Sequence, residues 1–167
     1  MGIDEHKKDT VQTADIGILT LSSTRKKTED KSGQWMAEAA MAMGHRIVIH
    51  EVLPDAADII ARTVTHTIEE YRPDILILTG GTGISPKDVT IEAVRPLFAK
   101  ELTAFSVLFA QMSYMEIASA AILSRATAGI LGKTAIFCIP GSKNACRMAC
   151  EKIIFPEIGH LIKHMVE

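Results

Sequence analysis

Short apolar runs alternate along the chain with longer segments whose apolar residues recur at helical spacing. Residues 16–21 and 74–78 are continuously apolar or nearly so, a pattern typical of strands buried on both faces of a parallel sheet. Residues 45–53 alternate apolar and polar side chains, which predicts a strand with one covered face. These three runs predict the first three strands of a sheet.

Helical periodicity fills the segments between these strands. The spacing predicts a first helix that begins after Asp30 or Ser32, either of which is a suitable N-cap, and stops at Gly44. A second helix is expected from Pro54-Asp55 through Tyr71. Further helical patterns cover residues 89–99, 102–112 and 114–122. Repeated strand–helix units predict helices on both faces of a mostly parallel sheet.

The last third of the chain predicts a hairpin followed by a helix. Residues 123–130 and Thr134–Ile139 are strand-like, and the tight connection between them suits an antiparallel pair at the sheet edge. From Asn144 to the terminus the pattern is helical, with Pro156 marking either a break or the first turn of a new helix. The predicted fold class is therefore α/β, with a mostly parallel sheet and an antiparallel edge hairpin.

Size and charge narrow the class of protein. A length of 167 residues suits one domain, which we place at residues 15–167 behind a flexible N-terminal arm at residues 1–14. The formal net charge is −2, from 18 basic and 20 acidic residues, so no global attraction to nucleic acid or to an anionic membrane is expected. The arm has no apolar core of the kind a secretory signal needs, and no apolar run reaches the roughly 18 residues of a membrane span.

The cysteines favour a reducing compartment. Cys138, Cys146 and Cys150 are odd in number and form no C-x-x-C pair, so a disulfide framework and a zinc knuckle are poorly supported. We expect reduced thiols packed as small apolar residues in a cytoplasmic protein. His160 and His164 share one face of the predicted last helix at a spacing that suits a metal, although surface histidines are the simpler interpretation.

Three loops that follow predicted strands carry small and hydroxylated residues. They contain Ser22, the segment Thr79-Gly80-Gly81-Thr82-Gly83 with nearby Ser85, and Pro140-Gly141-Ser142. The carboxyl ends of parallel strands lie at one edge of a sheet, where ligands bind. Glycine lets backbone N–H groups approach an anion, so the second loop is a candidate phosphate cradle. The alternative is a tight turn in which glycine only relieves crowding.

Two aspartates are expected at the same edge. Asp55 follows the second strand, and Asp88 lies five residues beyond Gly83. As a pair they are candidate ligands for Mg²⁺, which prefers oxygen ligands and usually keeps substrate phosphates and waters in its shell. Helix N-capping is the alternative role for each carboxylate.

At this point the chain resembles a known family. The segment from Thr79 to Thr90 (TGGTGISPKDVT), Ser124-Arg125-Ala-Thr-Ala-Gly and Ile139-Pro-Gly-Ser-Lys-Asn-Ala resemble, in order and spacing, the molybdopterin-binding family of MoaB, MogA and the gephyrin G domain. Asp30-Lys-Ser-Gly and Leu53-Pro-Asp add two further matches. The resemblance runs from about residue 15 to the end, and the stretch from Ala121 to Gly129 is more similar to MoaB.

The resemblance implies a three-layer α/β/α sandwich that assembles as a homo-oligomer, a trimer or a hexamer. It also implies a role in molybdenum cofactor biosynthesis, in which active relatives transfer AMP from Mg²⁺-ATP to the terminal phosphate of molybdopterin. By position, Asp55 and Asp88 match the family's essential aspartates. The matches to the two ligand-binding loops are Gly80, Gly81, Thr82 and Gly83 in the first and Gly141, Ser142 and Asn144 in the second.

The chain departs from the family pattern between residues 104 and 110. Ala104-Phe-Ser-Val107 stands where many relatives have a Gly-Phe-Gly-Glu-like segment, and Ala110 where an arginine is common.

Three functions stay open. An adenylyltransferase is the main hypothesis, because both aspartates are retained. A carrier that binds molybdopterin or a nucleotide without turnover is the second. A nucleotide enzyme of an unrelated pathway is the third, supported only by the loop cradle.

Overall fold

A six-stranded sheet forms the centre of the computed structural model, which describes residues 13–23 and 27–167. The strands are β1 (Asp15–Leu21), β2 (Arg46–Leu53), β3 (Ile75–Thr79), β4 (Lys100–Glu101), β5 (Thr127–Leu131) and β6 (Thr134–Ile139). Their order across the sheet is β2-β1-β3-β6-β5-β4. The adjacent strands β2, β1, β3 and β6 are parallel to one another, and β5 runs antiparallel to both of its neighbours, β6 and β4. The mostly parallel sheet and its antiparallel hairpin are confirmed.

Helices cover both faces of this sheet. They are α1 (Lys31–Ala42), α2 (Ala57–Tyr71), α3 (Thr90–Val94), α4 (Thr103–Ile117), α5 (Lys143–Ala149) and α6 (Phe155–Val166). On one face, Met36 of α1 and Phe109 of α4 pack with strand residues such as Ile77. On the other face, Ile60 of α2 packs with Leu76. Neighbouring residues of one strand thus enter opposite cores, which confirms the three-layer α/β/α sandwich.

The N-terminal arm expected at residues 1–14 lies outside the described residues except for its last two. Ala14 is 1% exposed, and its backbone N–H donates to Nδ1 of His45 at 3.2 Å. Residues 24–26 are likewise outside the described part of the chain.

The predicted helix over residues 89–99 is wrong in its second half. It ends at Val94, a 3₁₀ turn covers Arg95–Leu97, and β4 begins at Lys100. Pro96 lacks the N–H group that a continuing helix needs, while Ala99 and Leu102 donate backbone hydrogen bonds to β5 at 2.8 Å each. The outermost strand is therefore β4, so the β5–β6 hairpin lies one strand in from the edge.

The segment between residues 102 and 130 also differs from its prediction. The two helical patterns at 102–112 and 114–122 form one helix, α4, which ends where Ala118 takes a φ of +50°. A 3₁₀ turn then covers Ala118–Leu123, so β5 begins at Thr127 and the strand predicted from residue 123 is four residues too long. Leu123, at which the predicted strand began, lies in this turn and is 54% exposed.

Pro156 does not break the last helix. Residues 143–166 are helical throughout, with one wide π turn at Cys150–Ile154 in which the Phe155 N–H donates to the carbonyl of Cys150. Such a turn lets proline enter the next turn without interrupting the helix.

One apolar surface lies on α4 and the turn after it. Exposed side chains there are Val107 (66%), Tyr114 (64%), Met115 (80%) and Ile122 (83%). The stretch Thr103–Leu123 is long and apolar enough to cross a membrane by length and composition, and 11% of the 18 residues that meet this criterion are buried. Phe105 and Phe109 of the same helix are nevertheless packed into the core, so α4 carries apolar residues on both its inner and its outer side.

Asp30 joins α1 to the first two strands. Its side chain, which is fully buried, caps α1 by accepting from the Gly33 N–H at 2.9 Å. It also accepts from the Thr20 hydroxyl at 2.6 Å and lies 2.8 Å from Nε2 of His50. Burial raises the pKa of Asp30, but the hydrogen bonds from His50, Thr20 and Gly33 outweigh burial and lower it below its ordinary value of 3.8.

Asp30→Asn should therefore lower stability most at neutral pH. The depressed pKa means that the carboxylate contributes stability above about pH 4, and that this contribution is lost as the pH falls through the folded pKa. We expect a loss of about 1–3 kcal/mol at pH 7 that shrinks as the pH is lowered, measured by urea unfolding over a pH series. Exposed Asp58→Asn is the matched control. A difference from the parent protein that does not vary with pH would contradict this account.

Candidate functional site

A cleft of about 560 Å³ opens at the carboxyl ends of β2, β1, β3 and β6. Its lining residues are Leu21, Ser22, Ser23, Asp55, Gly80, Gly81, Lys87, Asp88 and Gly141. The loops after four strands meet here because these strands are parallel and adjacent in the sheet. The structure therefore brings six residues of the predicted site to one cavity: Ser22, Asp55, Gly80, Gly81, Asp88 and Gly141.

Glycines allow the backbones of these loops to touch. Gly80 has a φ of +105°, and a Cβ atom there would lie 2.4 Å from the carbonyl oxygen of Leu21. Gly81 has a φ of +63°, and its Cβ would lie 2.4 Å from Oγ1 of Thr90. A Cβ on Gly141 would lie 3.3 Å from Cα of Gly80. Glycine is needed at these positions because the three loops lie so close together that a side chain would clash.

The loop uses some of its polar groups internally. The Gly80 N–H donates to the carbonyl of Ile139 at 3.0 Å, and its carbonyl accepts from the hydroxyl of Thr90 at 2.8 Å. The hydroxyl of buried Thr79 donates to the carbonyl of Pro140 at 3.0 Å. Gly80 and Thr79 thus shape the cleft and do not offer these donors to a ligand.

Asp55 is held at the cleft by the loop after β1. Its Oδ2 accepts from the backbone N–H and from the hydroxyl of Ser23, both at 2.9 Å. The N-cap residue of α2 is Ala56, and no side chain caps the helix, so the capping alternative for Asp55 is wrong. A Cβ on Gly81 would lie 3.3 Å from Oδ1 of Asp55, so this second oxygen lies beside the glycine loop.

Asp88 closes the turn that follows the glycine loop. Its Oδ2 accepts from the Ser85 N–H at 2.9 Å, and a Cβ on Gly83 would lie 2.7 Å from that oxygen. The N-cap of α3 is Val89 without a side-chain hydrogen bond, so the capping alternative is wrong here too. Within the described residues, Oδ1 of Asp55 and Oδ1 of Asp88 accept no hydrogen bond, which leaves one oxygen of each carboxylate for a ligand.

The other predicted binding residues lie apart from this cavity lining. Thr82 is 2% exposed, and its hydroxyl has no hydrogen-bond partner in the part of the chain that the structure describes. Ser85 accepts from the Lys87 N–H at 3.3 Å. Ser142 caps α5 by accepting from the Ala145 N–H at 3.2 Å. Exposed Asn144 borders a different cleft, beside Glu116 and Arg147.

A second cleft of about 590 Å³ adjoins the first. It is lined by Ser22, Ser23, Lys27, Glu51, Val52, Leu53 and Pro54. Ser22 and Ser23 line both cavities, so the two form neighbouring compartments on either side of the loop after β1. Lys87 lies in the lining of the first cleft, and Lys27 lies in the lining of the second.

Arg125 supports the glycine loop through hydrogen bonds to its carbonyls, a role that the sequence did not predict. Its Nε donates to the carbonyls of Thr82 and Gly83 at 3.1 and 3.0 Å. Its terminal nitrogens pair with Glu92 at 2.5 and 3.2 Å, and the pKa of Glu92 is lowered by that hydrogen bond. Arg125 lies more than 40 residues from the loop, so no local pattern pointed to this contact, although it belongs to the Ser-Arg match quoted above.

Comparison with known proteins gives a consistent result. The family model described as "Probable molybdopterin binding domain" matches residues 17–160. The molybdenum cofactor biosynthesis protein B of Bacillus subtilis (strain 168) is 42% identical over 166 residues, which cover 99% of this chain and 98% of the relative. The probable molybdopterin adenylyltransferase of Methanocaldococcus jannaschii is 37% identical over 169 residues, 97% of this chain and 99% of the relative.

Solved structures share the fold. A crystal structure of a molybdenum cofactor biosynthesis protein B has a TM-score of 0.89 and 39% identity, over 92% of this chain and 96% of that one. The tungsten cofactor synthesizing protein MoaB of Pyrococcus furiosus has a TM-score of 0.84 and 35% identity, over 94% of this chain and 99% of that one. Both comparisons extend over nearly the whole described chain.

Arg125→Ala should loosen the glycine loop. Two loop carbonyls lose their donor, and Glu92 loses its partner, so we expect amide hydrogen exchange in residues 79–90 to speed up by about tenfold, equivalent to roughly 1.4 kcal/mol of local opening. Mass spectrometry of peptides from this segment measures the change. Arg62→Ala, which removes an exposed guanidinium paired with Asp58, is the control. Unchanged exchange in the loop of Arg125→Ala would show that Arg125 does not support it.

Proposed function

The chain belongs to the molybdopterin-binding family, and on that basis we propose that it adenylylates molybdopterin with Mg²⁺-ATP during molybdenum cofactor biosynthesis. The observation that carries the proposal is the placement of Asp55 and Asp88 on one cleft with the glycine loop. Each carboxylate keeps one oxygen outside the hydrogen bonds of its own loop. The name of the Methanocaldococcus relative supports the same activity.

The donor set suits Mg²⁺. This ion binds through one or two carboxylates together with substrate phosphates and waters, and Oδ1 of Asp55 and Oδ1 of Asp88 are the oxygens we propose as its ligands. When bound, Mg²⁺ would neutralise phosphate charge in the cleft. Among the described residues no group of three or more His, Cys, Asp or Glu side chains is placed to hold a metal, so the site has no protein cage and relies on the nucleotide's phosphates.

The proposed reaction needs no nucleophile from the protein. The terminal phosphate of molybdopterin attacks the α-phosphorus of ATP, a new P–O bond forms, and the bond to pyrophosphate breaks. Two anions must approach each other, so catalysis consists of positioning and charge neutralisation. Lys87 supplies a positive charge in the cleft lining. Its neighbour Asp88 has its side chain fixed by the Ser85 N–H, and Asp55 by Ser23.

A binding protein without turnover is the second candidate. The same cleft holds a phosphorylated pterin whether or not AMP is transferred, and the curated relatives include proteins named only for cofactor biosynthesis. Ala104, Ser106, Val107 and Ala110, which depart from the family pattern, lie on α4 and do not line the cleft. They therefore give no reason to prefer the inactive alternative.

We also propose that residues 15–167 act as one cytoplasmic domain that assembles as a trimer or a hexamer. Cys138, Cys146 and Cys150 are free thiols in the buried core, as expected in a reducing compartment. The exposed apolar face of α4 offers a contact surface for another copy. A membrane or a nucleic acid is not part of the proposal, because the net charge is −2 and α4 also packs into the core.

Asp88→Asn should abolish turnover while the cleft keeps its shape. The Asn side-chain oxygen still accepts from the Ser85 N–H, but the negative charge is lost. We expect kcat to fall by about 10²–10³-fold with molybdopterin affinity changed less than about threefold. Product formation from molybdopterin, ATP and Mg²⁺ measures the rate, and equilibrium titration measures the affinity.

Asp58→Asn is the control for that experiment, since Asp58 is an exposed carboxylate in the first turn of α2. Molybdopterin binding without adenylylated product in the parent protein would select the binding alternative. Absence of pterin binding would reject both, and would favour a nucleotide enzyme of another pathway.

Met115→Glu should weaken self-association. Met115 is 80% exposed on the outer face of α4, and a buried unpaired carboxylate in a subunit contact costs several kcal/mol. Multi-angle light scattering should give the mass of a trimer or hexamer for the parent protein and a smaller mass for the variant. Met41→Glu, on the exposed side of α1, should keep the parent mass. A monomeric parent protein would contradict the assembly.

A further inference from the structure

Two histidines lie next to each other on the exposed side of the last helix, outside the lining of the cleft. His160 and His164 are one turn apart on α6. Their Nε2 atoms lie 2.9 Å from each other, and their ring centroids are 4.7 Å apart. Their side chains are 41% and 62% exposed, so the pair is open to ions from solvent.

The other nitrogen of each ring lies beside a carboxylate. Nδ1 of His160 is 3.2 Å from Oε2 of Glu157, and Nδ1 of His164 is 3.1 Å from Oε2 of Glu167. An ionised carboxylate only accepts hydrogen bonds, so Nδ1 of His160 donates to Glu157 and its Nε2 presents a lone pair. Nε2 of His164 then donates to Nε2 of His160, and this hydrogen bond accounts for their distance. A metal ion that replaces the shared proton is bound by both Nε2 atoms.

The spacing of the two nitrogens fits a metal ion with cis ligands. Metal–imidazole bonds are about 2.0–2.1 Å long, and two such bonds at a right angle place the nitrogens about 2.9 Å apart. Tetrahedral ligands would be about 3.3 Å apart by the same geometry. Right angles between nitrogen ligands are the preference of square-planar or tetragonal Cu²⁺ and Ni²⁺, and both bind imidazole well.

We propose that His160 and His164 form a chelating site for a divalent transition-metal ion of the copper or nickel type, bound through their two Nε2 atoms. Glu157 and Glu167 orient the rings from the far side, as carboxylates do for metal-bound histidines. The described residues place no third His, Cys, Asp or Glu side chain for a metal there, so water completes the shell. The site is separate from the cleft that holds Asp55 and Asp88 and does not depend on the proposed reaction.

Copper(II) is the probe for the test. Titration of the full chain at pH 7.5 should show one saturable site, and its electron paramagnetic resonance spectrum should show a tetragonal ion with two nitrogen ligands. His160→Ala and His164→Ala should each weaken this binding by at least about tenfold, because a chelate becomes a single ligand. Both positions are exposed and helical, where alanine is well tolerated.

Two further histidines provide the controls. His66 is an exposed helical histidine of α2, and His6 lies in the sequence before the described residues. Variants His66→Ala and His6→Ala should bind copper(II) as the parent protein does. Parent-like affinity in both His160→Ala and His164→Ala, a spectrum with a single nitrogen ligand, or loss of the site in His66→Ala or His6→Ala would overturn the proposal.

Discussion

The contact between three loop backbones at Gly80 is the constraint on which the candidate site depends. A Cβ on Gly80 would clash with the carbonyl oxygen of Leu21, and a Cβ on Gly141 would lie 3.3 Å from Cα of Gly80, closer than ordinary van der Waals contact. No other residue fits between them. Because β1, β3 and β6 are neighbours in register, this contact brings the ends of three strands together and sets the width of the cleft that they line.

The polar groups around that contact divide into those that hold the loops and those that are left over. Thr79, Thr90 and the Gly80 N–H bond to neighbouring loop or strand atoms, and Arg125 supports the loop carbonyls. Among the described residues, Asp55 and Asp88 are each anchored through Oδ2. Rigid anchoring of one oxygen orients the other, which is how a site holds a ligand at low entropic cost. The division supports Asp55 and Asp88 as the functional groups.

The same fold presents different chemistry on its other surfaces. The outer side of α4 is apolar, which favours contact with another protein surface over contact with water. The exposed side of α6 carries paired imidazoles and carboxylates. Neither surface contributes to the lining of the cleft. The proposed assembly, the proposed metal site on α6 and the proposed chemistry at the strand ends therefore involve different surfaces, so separate substitutions can test them.

Local patterns in the sequence determined the strands β1, β2, β3 and β6, the helices α1 and α2, the turn glycines and the two aspartates, because each depends on periodicity or on residues a few positions apart. Tertiary structure decided the rest. Pairing with β5 turned residues 100–101 into a strand, and distant contacts gave Arg125 and the Asp30–His50 pair their roles. It also decided that Asp55 caps no helix, since its partner is Ser23, 32 residues away. Such contacts are fixed by how the layers pack, which no local spacing records.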